Sequence, residues 1–310
     1  RTVTDAPAAG ALPTPPRPSA SPRGLRTRLT SGPAAVLLVT SVTLLVAVSA
    51  KAYCLFSYVP RQGPASCYND IQHLWHLRQM AEHLFPYQGT VQRVYENGEL
   101  VRIDLGAGQI EYPVLTGVFA WLTSLPVGGH SEYLLANMVA LAPFALLTSW
   151  LLYDLVGRRA YWFAAAPALA AYAYLNWDLL PVAAAVAAVW TWRRGRVGWT
   201  GVLLGIGICA KIWPGFLLAP LVVLLLLQRR LRETVRLVGA AVGTTVALNL
   251  PFLLVNPEGW AAPYLMQSLR RNERNTNSLW FWLFPDAPLH SVATASNLAV
   301  VLGWTVLLVA

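Results

Sequence analysis

Four ionisable side chains border apolar runs: Asp70 in CYNDIQHLWH (67–76), Glu111 in GQIEYPVLTG (108–117), Asp178 in LNWDLLPV (175–182) and Lys211 in GICAKIWPG (207–215). Arg270, Arg271 and Arg274 form a fifth group in SLRRNERNTNSLWFW (268–282). Charge at membrane depth is costly, so each is a functional candidate. A carboxylate can take the proton of an attacking hydroxyl. A lysine with arginines can hold a phosphate and stabilise the charge it gains on leaving. Together these groups suit transfer of a sugar from a lipid-linked phosphate, with Asp70 and Glu111 catalytic and Lys211, Arg270, Arg271 and Arg274 on the phosphate. Blander roles compete. Asn69 or Asp70 would cap the helix that starts at Ile71. Glu111 would complement a helix dipole, Asp178 would cap its span, and Lys211 would snorkel to the surface. The arginines would meet lipid headgroups, and Trp280, Phe281 and Trp282 would form an interfacial belt. His73 and His76 read as packing or interface residues.

The elements that must position these groups follow from composition. The 310-residue chain is 56% hydrophobic and 12% charged, with mean hydropathy +0.48. A soluble domain carries about twice that charged fraction. Apolar runs recur at roughly 33–55, 113–127, 133–156, 160–176, 179–192, 197–210, 212–227, 234–255 and 291–310. The fold class is therefore an all-α polytopic membrane protein; a closed barrel would show short alternating segments instead.

Arginines orient the spans, because loops retained in the cytoplasm keep them. Arg17, Arg23, Arg26 and Arg28 place the N-terminus inside, as do the clusters at 158–159, 193–196 and 229–232 for their turns. The run 197–227 must then be a hairpin turning near Ala210-Lys211. The segment 112–127 becomes a juxtamembrane or re-entrant helix on the outer side. In this layout fourteen arginines face three acids inside, a net of +11, and the outer side carries −2. The overall +9 reports topology, and nucleic acid is excluded as a partner. The expected organisation is a disordered, Pro-rich cytoplasmic tail at 1–32 and a transmembrane domain at 33–310. Outer loops span 56–132 and 256–290, and further C-terminal helices are expected beyond the chain.

The first outer loop has its own order. Leu74, Leu77, Ala81, Leu84 and Phe85 fall at helical spacing, which predicts an amphipathic helix over 71–85 lying on the membrane. Asn97-Gly98 between alternating segments predicts a two-residue β-hairpin. Cys54 and Cys67 can meet outside the membrane, but three cysteines make no disulfide framework. No metal-ligand spacing of Cys and His is present.

In their order, an acid after the first span, EYPVLTG, NWDLLPV and GICAKIWPG resemble the GT-C fold and look most like glycosyltransferase family 87, over about residues 33–290. That family includes polyprenol-phosphate-mannose-dependent mannosyltransferases. The resemblance implies an inverting membrane hexosyltransferase in the plasma membrane, with its active site extracytoplasmic. It would move a sugar, mannose by this likeness, from a polyprenyl-phosphate donor to a glycan or glycolipid acceptor of the cell envelope. Asp70 would be the base and Lys211 the phosphate ligand. Glu111 and Asp178 would position substrate or, as in some relatives, a divalent cation, with Asn176 and Tyr112 beside them in substrate positioning. The Asp70 neighbourhood departs from the pattern in carrying one acid where some relatives carry a pair. The competing readings are a transporter or flippase of a lipid-linked or anionic solute, and a silent membrane scaffold.

Overall fold

The computed structural model describes residues 32–56, 67–269 and 298–306 apart from Trp304. The first helix, α1, runs Pro33–Phe56. Proline opens it at no cost, since the first helical N–H has no partner to lose. Its buried residues Val36, Thr40, Leu44, Ala47 and Cys54 form one stripe, and Thr40 Oγ1 donates to Ser149 Oγ at 2.6 Å. That stripe packs on α4, His130–Val156, which continues through a 3₁₀ turn into α5, Tyr161–Ala164. Among the described residues, three helical stretches are long and apolar enough to cross a membrane: Pro33–Phe56, His130–Ala164 and Leu231–Val255.

Between α1 and α4 the chain builds the platform at one end of the bundle. Helix α2, Asp70–Leu77, is capped by Asn69, whose Oδ1 accepts from Gln72 N–H at 2.7 Å. The helix expected over 71–85 stops at Leu77. Gln79 and His83 adopt left-handed φ of 51° and 52°, with only a 3₁₀ turn between them. Of the predicted stripe, Leu74 is buried while Leu77, Ala81, Leu84 and Phe85 stay exposed. Ile71, Leu74 and Trp75 are buried, and Trp75 meets Tyr133 of α4 at 5.0 Å between rings. Strands β1 (Val91–Glu96) and β2 (Glu99–Leu105) pair antiparallel around Asn97 and Gly98, at φ 51° and 85°. Those positive angles are what a type I′ turn requires.

Helix α3, Val114–Ser124, has 11 residues, about 16 Å at 1.5 Å each and roughly half a hydrocarbon core. Both its ends rest on the platform. Tyr87 Oη donates to Tyr112 O at 2.7 Å before the helix, and Trp121 Nε1 donates to His83 O at 2.9 Å near its end. The start of α4 returns to the end of α1, where Ser131 Oγ donates to Leu55 O. Cys54 and Cys67 form a disulfide with Cα atoms 5.1 Å apart, tying α1 to the approach of α2.

The apolar run 160–176 is no continuous helix. It breaks into α5 and α6, Pro167–Tyr172, because Pro167 lacks an N–H and holds Ala166 extended. The chain then passes through 173–178 into α7, Leu179–Arg193, and α8, Val197–Ala210. A 3₁₀ turn, Trp213–Leu217, leads into α9, Leu218–Leu227. Val197 at the start of α8 and Leu225 at the end of α9 share a buried cluster with Leu237. The run 197–227 is therefore a hairpin that reverses at 211–217, as its flanking arginines require.

Leu237 belongs to α10, Leu231–Val255. Gly201 and Gly205 lie against its backbone carbonyls at Leu237 and Ala241, where any Cβ would collide. Two glycines four apart let helix backbones approach this closely. Helix α11, Pro257–Leu269, turns back over the platform. The main core sits directly beneath the platform, around Leu44, Ile71, Tyr87, Tyr133 and Trp177.

Candidate functional site

Asn69 does the capping, so Asp70 at the first helical position has its carboxylate available. The Asp70 N–H donates to Leu175 O at 2.8 Å, which joins α2 to the loop before α7. The Asp70 carboxylate accepts from the Tyr112 hydroxyl. Tyr112 packs edge-on against Trp177 at 5.1 Å, and Trp177 Nε1 donates to Asn137 Oδ1 at 2.7 Å. Burial pushes the Tyr112 phenol well above its ordinary range; the charge of Asp70, the hydrogen bond to it, and the charges of Glu111 and Asp178 push the same way. Tyr112 therefore keeps its proton and serves Asp70 as a fixed donor.

Glu111 forms an ion pair with Arg78 at 3.0 Å, with side chains 13% and 7% exposed. Arg78 Nη1 also donates to Leu105 O at 3.3 Å, so the pair clamps the end of the hairpin to the approach of α3. Asp178 does not cap α7 with its side chain. Its N–H donates to Asn176 Oδ1 at 3.0 Å, and its carboxylate pairs with Lys211. Lys211 follows the last turn of α8 in extended conformation. The neighbouring Ala210 carbonyl accepts from Thr116 Oγ1 at 2.7 Å, which locks α8 to α3.

These groups converge on one cavity of about 610 Å³. Asp70, Glu111, Tyr112, Asn176 and Lys211 line it, and Asp178 reaches it through Lys211. Opposite them stand Tyr68, Trp213, Phe216 and Tyr264, with Gln267 from α11. An apolar groove of about 280 Å³ lies between α3, α4, α7 and α8, lined from Leu115, Leu180 and Ala210 down to Leu147, Ala187 and Leu203. Ala210 of the groove adjoins Lys211 of the charged cavity in sequence.

Of the residues singled out by sequence, Asp70, Glu111, Tyr112, Asn176, Asp178 and Lys211 come together. Arg270, Arg271 and Arg274 lie outside the described residues, as do Trp280, Phe281 and Trp282. His73 meets the Tyr68 ring at 5.6 Å and His76 the His130 ring at 5.1 Å, on the platform. Arg78, Tyr264 and Gln267 had no sequence signal; only the fold brings Arg78 to Glu111 and places Tyr264 and Gln267 on the cavity. Each acid has its own partner in Tyr112, Arg78 or Lys211, and no group of three metal-binding side chains converges among the described residues. The acids so arranged do not fit a divalent cation.

The family model described as glycosyltransferase family 87 matches residues 108–310, a stretch that holds Glu111, Asp178 and Lys211 and begins after Asp70. Neither curated proteins nor solved structures give a match.

Proposed function

This membrane chain belongs to glycosyltransferase family 87, and on that premise we propose that it transfers a sugar, mannose by preference, from a polyprenyl-phosphate donor to an extracytoplasmic glycan or glycolipid acceptor. The observation that carries the reading is the juxtaposition of two compartments. A cavity lined by Asp70 and Lys211 has beside it, at the neighbouring Ala210, a groove of aliphatic and phenylalanine side chains. A donor with a charged head and a long hydrocarbon tail fits both at once.

Reaction is a single displacement with inversion in a GT-C-type site. Asp70, aimed by Tyr112, takes the proton of the acceptor hydroxyl as that oxygen attacks the anomeric carbon. The bond from that carbon to the phosphate oxygen breaks, and the phosphate keeps the electron pair. Lys211, with Arg270, Arg271 and Arg274, stabilises the charge that grows there. Glu111 and Asn176 orient the sugar, and the aromatic wall of Tyr68, Trp213 and Tyr264 faces it. In this reading the site end is extracytoplasmic and the N-terminus cytoplasmic. The Cys54–Cys67 disulfide supports that side, since such bonds persist in oxidising compartments. The arginine-rich turns at 157–159, 193–196 and 228–232 support it from the opposite end of the helices.

Purified protein incubated with radiolabelled polyprenyl-phosphate-mannose and a membrane extract tests this. A labelled product is expected from the wild type. Asp70→Asn and Lys211→Ala should each lose about 10²-fold or more in rate at unchanged protein level and helicity. Near-normal transfer by Asp70→Asn would remove the base. Absence of any labelled product with the wild type would remove the donor.

A further inference from the structure

The pairing of Asp178 with Lys211 has a consequence beyond holding two segments together. We infer that Asp178 is an exchangeable counter-ion: it holds the Lys211 ammonium before the donor arrives, yields it to the donor phosphate, and competes for it again once the sugar has left. This rests on the reading of Lys211 as the phosphate ligand.

The geometry separates what can move from what cannot. The Asp178 backbone is pinned by Asn176, the buried Trp177 and the Asp70-to-Leu175 hydrogen bond. The Lys211 N–H donates to Gly207 O at 2.8 Å. Only the side chains are left to exchange, and lysine sits on a flexible four-carbon stem. Their exposure, 37% for Lys211 and 45% for Asp178, makes the pair weak and open to competition. The Arg78–Glu111 pair in the same wall is nearly closed off and cannot play this part. Lys211 also lines the cavity, and Asp178 meets it through the ion pair.

Charge then gives the carboxylate a task. A donor phosphodiester carries one negative charge. Transfer breaks its bond to the sugar and leaves a phosphomonoester of about −1.5 to −2. Lys211 alone would hold that product more tightly than the donor and slow each turnover. Asp178, returning to the ammonium, counters that gain and clears the product.

Binding of geranylgeranyl phosphate to protein in nanodiscs tests the proposal, alongside inhibition of transfer by the same compound. Asp178→Asn should bind it up to about fivefold tighter, with a lower kcat and stronger product inhibition. Asp178→Glu should behave as the wild type. In a Lys211→Ala background the gain from Asp178→Asn should fall below about twofold. A merely structural Asp178 would loosen binding when replaced, so the direction of the change decides. Equal or weaker binding by Asp178→Asn, beside a clear loss in Lys211→Ala, would overturn the counter-ion and leave the phosphate ligand standing. Wild-type binding by Lys211→Ala would overturn both. Asp178→Ser repeats the measurement if the amide variant fails to fold.

Discussion

The two ends of the helix bundle both carry ion pairs and use them differently. At the arginine-rich end, Arg194 meets Asp154 at 2.6 Å and lies over the Trp190 ring, while Arg230 pairs with Glu233 a turn away. Arg230–Glu233 stays within one turn, whereas Arg194–Asp154 joins the α7–α8 turn to the end of α4, 40 residues earlier. At the site end, Arg78 pairs with Glu111, Asp70 with Tyr112 and Lys211 with Asp178, each across elements far apart in the chain. The difference teaches that charge at the first end lies on the turns, whereas at the second it shapes a cavity.

Substitutions ranked by effect sharpen that contrast. Arg78→Leu should be the most damaging, because it leaves Glu111 nearly buried without its partner. A loss of about 3–5 kcal/mol is expected, read as a large fall in the thermal midpoint in detergent. A folded, active Arg78→Leu protein would mean that the pair is dispensable. Opening the Cys54–Cys67 link by Cys67→Ser should cost less, about 2–3 kcal/mol for a closed loop of this size. The same midpoint measurement, with and without reductant on the wild type, checks it. Tyr112→Phe should retain the fold and lower kcat about tenfold with little change in KM, since it removes one hydrogen bond to Asp70. An unaltered kcat would show that Asp70 is held well enough without it. Arg194→Ala, at the opposite end, should change stability by less than about 1 kcal/mol and leave transfer unchanged. A strong loss of transfer from Arg194→Ala would erase the contrast between the two ends.

Much of the scaffold was legible because its causes are local. Asn97-Gly98 made its hairpin turn, since both residues tolerate the positive φ that such a turn needs. Asn69 capped α2 for an equally local reason, its short side chain reaching a backbone N–H three residues on. The reversal at 211–217 followed from arginines at both ends of a run too long for one span. The helix over 71–85 was misread. Its apolar periodicity continues to Phe85, and nothing local announces the left-handed Gln79 and His83. The segment 160–176 was overread as one apolar run although Pro167 stood inside it.

By itself, the sequence determined the helical membrane class, the two-sided distribution of charge, the short turns and the short list of acids and cations able to do chemistry. Hydrophobic length, charge bias and turn propensity act over a few residues or along a single segment, so order along the chain suffices to read them. Only the tertiary structure decided the pairings. Asp70 and Tyr112 lie 42 residues apart, Arg78 and Glu111 33, and Asp178 and Lys211 33. No spacing rule links such positions; they meet at helix ends that the packing of the bundle brings together. Glu111, singled out as a catalytic acid, is clamped by an arginine that no motif announced, and Asp178, one candidate among several, is paired with Lys211.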